Sequence, residues 1–196
     1  DNLHLLTELE ELQKIMRSLG RISASVNSSL RGEELLQTIF QEMKKIIPCD
    51  MIVLLGINEE NNKILTLIDF VTSIPTNLNR YETFPLQGTL LEKAMNQQQN
   101  LFVDNISQIF SDTSESKLFR QTQVDTCLLI PLKAGVKIIG LLLIYNIGEQ
   151  QWDKLKDVME TIADHLSVAI EKDRLMKSVR KRDQELESLQ LIGSAL

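Results

Sequence analysis

The side chains able to do covalent or metal chemistry are few and scattered. Cys49 and Cys127, His4 and His165 stand far apart in a chain of 196 residues. A metal centre needs such residues at ligand spacing, and a redox catalyst needs activated thiols close together. Cys49 falls at a helix-to-strand junction and Cys127 precedes Leu128 in an apolar run, so both read as small buried residues. His4 lies on a solvated helix, and His165 sits among Ile162, Leu166 and Ala169, as a satisfied or dimer-facing side chain would. No Gly-x-Ser-x-Gly, His-Glu-x-x-His or phosphate-cradling glycine loop occurs. The basic cluster Lys177, Arg180, Lys181 and Arg182 runs straight into Asp183, Glu185 and Glu187, which describes a solvated helix with ion pairs. The residues point away from an enzyme, with no cofactor and no metal expected.

Composition agrees. Hydrophobic residues make up 43% and charged residues 24%, an ordinary globular balance, and the net charge of −6 disfavours nucleic acid or an anionic membrane as the main partner. The longest apolar stretch, Ile138 to Tyr145, is far short of the ~20 residues of a spanning helix. Two isolated cysteines and no leader pattern point to the reducing cytosol. Asp1 at the start, and Leu196 inside a helical pattern, suggest a piece of a longer protein.

The elements that must position any site follow from periodicity. Leu5, Leu9, Leu12, Met16, Leu19, Ser23, Val26 and Leu30 are spaced alternately by four and three, a heptad seam needing a partner helix. Turn residues at 27–29 and Arg31-Gly32 break that helix, and a second is expected over residues 33–47, stopped by Pro48. Residues 51–57 and 64–70 read as a hairpin with a polar tip. Residues 71–84 read as a long irregular connection, followed by a short helix over 90–97 and a short strand over 101–103. A second hairpin spans 126–132 and 137–145, apolar enough that both faces must be covered. Trp152 opens a last helix that narrows to a second seam at Leu175, Val179, Arg182, Leu186, Leu189, Gly193 and Leu196. The expected fold is α+β: an antiparallel sheet of five to six strands, flanked by helices, with long coiled-coil helices at both ends. The expected division is a dimerisation helix over 1–30, a globular domain over 31–175 and a linker helix over 176–196.

In that frame several stretches resemble the GAF family of small-molecule sensor domains. They are Leu35-Leu36-Gln37-Thr38-Ile39 before Pro48-Cys49-Asp50-Met51, then Phe84-Pro85-Leu86-Gln87-Gly88-Thr89, then Leu101-Phe102-Val103-Asp104-Asn105-Ile106. Most specific is the ordered series Leu129-Ile130-Pro131-Leu132, Ile139-Gly140-Leu141-Leu142-Leu143, Trp152, and Ile162-Ala163-Asp164-His165-Leu166 with Ala169-Ile170-Glu171. The resemblance implies a non-catalytic regulatory module that binds a small molecule between the sheet and residues 69–96 and 104–125. It implies Asp69, Ser73, Tyr81, Phe84, Thr89, Asp104, Phe110, Phe119 and Asp125 as ligand contacts, although Asp104 also fits a turn or cap. At the family's cyclic-nucleotide signature only Asn146 matches, because Ile147 and Lys156 replace the expected charges.

The seams imply a homodimer through Leu5, Leu9, Leu12, Met16, Leu19, Val26, Leu175, Val179, Leu186 and Leu189. Residues 18–26 and 188–196 share Ser, Leu and Ile in register, which suggests a following module of the same kind. The expectation is a cytoplasmic, bacterial-type signalling segment without membrane insertion, its parent carrying a kinase or cyclic-dinucleotide enzyme. The competing expectation is a ligand-free module that only spaces and pairs its neighbours.

Overall fold

The computed structural model of the chain describes residues 2–58, 60–106, 115–120 and 123–194. Helix α1 (Asn2–Asn27) leads through a tight turn at Gly32, with φ of +54°, into α2 (Gly32–Ile46). Glu33 and Glu34 in the first turn of α2 and Lys44 and Lys45 in its last complement the helix dipole. Strands β1 (Met51–Ile57) and β2 (Ile64–Thr72) form the first hairpin. Its tip is closed by Asn58 Oδ1, which accepts the backbone N–H of Glu60 and Asn61. The 71–84 connection ends in a short edge strand, β3 (Thr83–Pro85), not foreseen from the irregular composition, whose partner is β2. Helix α3 (Leu90–Gln97), strand β4 (Leu101–Val103) and the short helix α4 (Ser116–Phe119) follow. The second hairpin pairs β5 (Cys127–Ala134) with β6 (Lys137–Tyr145), and α5 runs unbroken over Glu149–Ser194, starting three residues before Trp152.

All six strands are antiparallel, in the order β3-β2-β1-β6-β5-β4. Each face of the sheet has its own apolar layer. Ile52, Leu54, Leu128, Ile130, Leu142 and Ile144 meet Ile39, Phe40, Met43, Met159, Ile162 and Leu166 of the helices. Met51, Val53, Leu55, Leu129, Leu143 and Tyr145 face the other way, toward α3, α4 and the β3 region. That double covering is why β1, β5 and β6 carry continuous apolar runs rather than alternation.

Helix α2 returns antiparallel to α1, with Arg21 paired to Glu42. Its start lies beside Asp173 and Met176 of α5, while α5 begins just after Tyr145, the partner of Met51. Helices α1 and α5 are therefore parallel, and their free ends leave the domain at opposite poles. Leu5, Leu9, Leu12 and Met16 on one, and Leu175, Val179, Leu186 and Leu189 on the other, are more than half exposed. Two expected seam positions are corrected: Val26 is buried in its own domain and Leu19 packs against the same core. Beyond Met16 the apolar side of α1 packs against α2 and α5 of its own domain.

Candidate functional site

The face of the sheet opposite the long helices is apolar except at one place. Strand β6 points Tyr145 into it, level with Met51 and Cys127 on the neighbouring strands. The ring is fully buried, with its centroid 6.5 Å from that of Phe119, and the hydroxyl has no hydrogen-bond partner among the described residues.

Beside it lies Glu115, only 1% exposed. Its Oε1 accepts the N–H of Leu90 at 2.9 Å and its Oε2 that of Leu91 at 3.2 Å, so the carboxylate spans the first turn of α3. Thr89 caps the same helix, accepting the N–H of Glu92 at 3.2 Å. The amide of Gly88, at φ of +73°, donates to Glu92 Oε2 at 2.8 Å. Burial pushes Glu115 above the ordinary carboxylate range, against the smaller opposing pull of the Leu90 and Leu91 amides. Burial, then the proximity of Cys127 and Glu115, pushes the Tyr145 phenol well above its usual value.

Of the residues singled out in the sequence, the structure brings Phe84, Thr89 and Phe119 to this region. Asp69 is not there. Alternation with Leu65 and Leu67 would place it on this face, but a β-bulge between Leu54 and Leu55 makes Ile68 the extra residue and turns Asp69 to the helical side. There it accepts from Gln37 Nε2 at 2.9 Å and from Arg80 Nε at 2.8 Å, and Arg80 also pairs with Glu33. Ser73 closes the end of β2 by donating to the Asp50 carbonyl. Tyr81, at φ of +67°, is exposed, as are Asp104, which accepts its neighbour's N–H, and Asp125. Phe110 lies outside the described residues. Glu115 and Tyr145 were missed. Tyr145 had a signal, the period-two continuation of Leu141 and Leu143, whereas Glu115 stands in a polar stretch with none.

Other reactive groups are quiescent. Burial raises the Cys49 thiol to about 11 and holds Cys127 well above its ordinary range, so neither is a thiolate near neutral pH. Asn146, at φ of +58°, uses its side chain to accept the Asp125 N–H and to donate to Asp50 and the Gln123 carbonyl, which fixes the strand end. Among the described residues no cluster of His, Cys, Asp and Glu could hold a metal ion, and no helix is long and apolar enough to cross a membrane.

A six-stranded antiparallel sheet with long helices on one face and two short helices on the other defines the α+β class. Residues 31–170 match the GAF domain, and the chain belongs to that family of sensor domains. Solved relatives share the fold. The GAF domain of a phosphoenolpyruvate-protein phosphotransferase from Coxiella burnetii superposes with a TM-score of 0.66 at 14% identity, covering 85% of this chain and 98% of that one. The GAF domain of a two-component sensor histidine kinase from Bacillus halodurans gives 0.57 at 21% identity over 72% and 95%. A phycocyanobilin-bound GAF domain from a cyanobacterial phytochrome gives 0.62 at 17% over 83% and 96%. In sequence, the chain is 26% identical over 187 residues to an uncharacterized sensor-like histidine kinase of Chloroflexus aurantiacus. The alignment takes in 92% of this chain but only 29% of that protein.

Proposed function

We propose that this domain is a non-catalytic sensor. It binds a small molecule on the sheet face beneath α3 and relays occupancy through paired terminal helices to an output domain of a longer cytoplasmic signalling protein. The observation that carries the reading is the Tyr145 hydroxyl, buried in a largely apolar layer without a partner among the described residues. Such a group costs about 1–3 kcal/mol when unsatisfied, a cost that a ligand acceptor removes. The likeness to a sensor-like histidine kinase supports a kinase as output.

The relay rests on two contacts of α5. Arg174 Nη2 donates to the carbonyl of Ile57, the last residue of β1, at 2.8 Å, and Lys172 donates to backbone carbonyls at the end of α1. A ligand that favours one sheet geometry would shift the helices only by its differential affinity for the two states. Exposed leucines on both parallel helices support pairing with a second copy. The competing reading, a ligand-free pairing module, is favoured by how completely side chains fill the sheet face.

The two are separated by a thermal-shift screen with nucleotides, amino acids and 2-oxo acids, together with native mass spectrometry. Stabilisation by one compound that is lost in Tyr145→Phe supports sensing; no response and a mass equal to the bare chains support pairing alone. Replacing Leu9, Leu12 and Met16 with polar residues should give monomers by sedimentation, and a persistent dimer would place the interface elsewhere.

A further inference from the structure

Resting on the sensor reading, we propose that the Glu115 side chain is an internal occupant of a carboxylate site at the start of α3, which a small organic acid takes by displacing it. Each oxygen of Glu115 accepts one amide, from Leu90 and Leu91, so the two donors form a fork that any planar carboxylate can fill. They open the eight-residue α3, whose dipole favours an anion there.

A second observation points to a ligand rather than a mere cap. The Tyr145 hydroxyl, fully buried and without a partner among the described residues, belongs to the ring that packs on Phe119, in the short helix that Glu115 opens, and is a third donor that the side chain leaves unused. An incoming carboxylate free of the tether can shift to accept from it as well as from the amides. The walls are Phe84, Leu91, Phe119 and Leu143, so the acid needs an apolar body. Displacement is cheap on the protein's side: burial disfavours the charged form of Glu115, and release returns it to water.

The test uses benzoate and hexanoate, with benzamide as the neutral control, against the wild-type chain, Glu115→Ala and Glu115→Gln. Affinities come from calorimetry, and the site is read from the amide resonances of Leu90 and Leu91. If Glu115 holds the fork most of the time, removing it frees the site. The two variants should then bind the acids about tenfold or more tighter than wild type. The Leu90 and Leu91 amides should move on binding, and benzamide should move neither. Adding Tyr145→Phe to Glu115→Ala should weaken binding several-fold. Equal affinity in wild type and both variants, or binding that leaves the two amides in place, overturns the proposal. Should neither variant fold, the wild-type titration decides alone: two unmoved amides at saturating acid overturn it. A neutral compound that stabilises wild type and Glu115→Gln equally, in a Tyr145-dependent way, overturns the displacement and leaves the sensor reading standing.

Discussion

The ammonium of Lys172 donates to the carbonyl of Ser28 at 2.7 Å, and to that of Val26 at 3.0 Å, across 144 residues of chain. Helix α1 has no basic residue in its own last turn. The carbonyl of Val26 in that turn, and that of Ser28 just past it, are instead satisfied by a cation from α5. Lys172→Met keeps the aliphatic stem and removes the donors. It should cost about 1–2 kcal/mol, since the site is partly buried and the bonds are charge-assisted. Urea unfolding measures it, and an unchanged midpoint would show the clamp to be incidental.

Asp69 is 1% exposed and joins β2 to α2 through Gln37 and to the β3 approach through Arg80. Arg80 is 37% exposed along its side chain and can turn to water when its partner is lost, so the penalty falls below that of a fully buried pair. Asp69→Ala should destabilise by about 2–3 kcal/mol in chemical denaturation. Ligand affinity should be untouched, because the side chain is on the helical face; a selective loss of binding would return Asp69 to the site.

Gly56 and Gly140 face each other across β1 and β6. A Cβ on Gly140 would stand 2.2 Å from the Leu55 carbonyl oxygen, whereas one on Gly56 would meet the tip of Ile68 at 2.6 Å. Backbone cannot give way as a side-chain end can. Gly140→Ala should therefore cost about 3 kcal/mol or more, and Gly56→Ala about 1 kcal/mol. Thermal unfolding of the two variants checks the order, and the reverse order would refute it.

Glu115 titrates in the opposite sense to a salt-bridged acid. Its folded pKa lies above the ordinary value of 4.5, so the folded state holds its proton longer than the unfolded chain. Its contribution to stability is greatest below that value and falls as pH rises toward the folded pKa. Glu115→Gln should remove this slope. The difference in unfolding free energy between variant and wild type, followed from pH 4 to 7, should shift in favour of the variant as pH rises; a flat difference would show that the amide fork offsets burial.

Local pattern was enough for most of the framework. The apolar spacing and its breakers located α3 over Leu90–Gln97 and β4 over Leu101–Val103, and the continuous runs of β5 and β6 announced a sheet covered on both faces. Periodicity records which side of an element is apolar because burial imposes it residue by residue. It carries no record of the distant partner that does the burying. Hence Val26 reads as an intermolecular seam residue in the sequence, although in the fold the end of α1 packs on α2 and α5 of its own domain. Hence also a single extra residue, Ile68, reversed the side on which Asp69 emerges, since a strand's faces exchange with every one-residue slip. The meeting of Glu115, Leu90 and Tyr145 was decided in the same way. Glu115 and the first turn of α3 are joined by hydrogen bonds between residues that no local spacing relates.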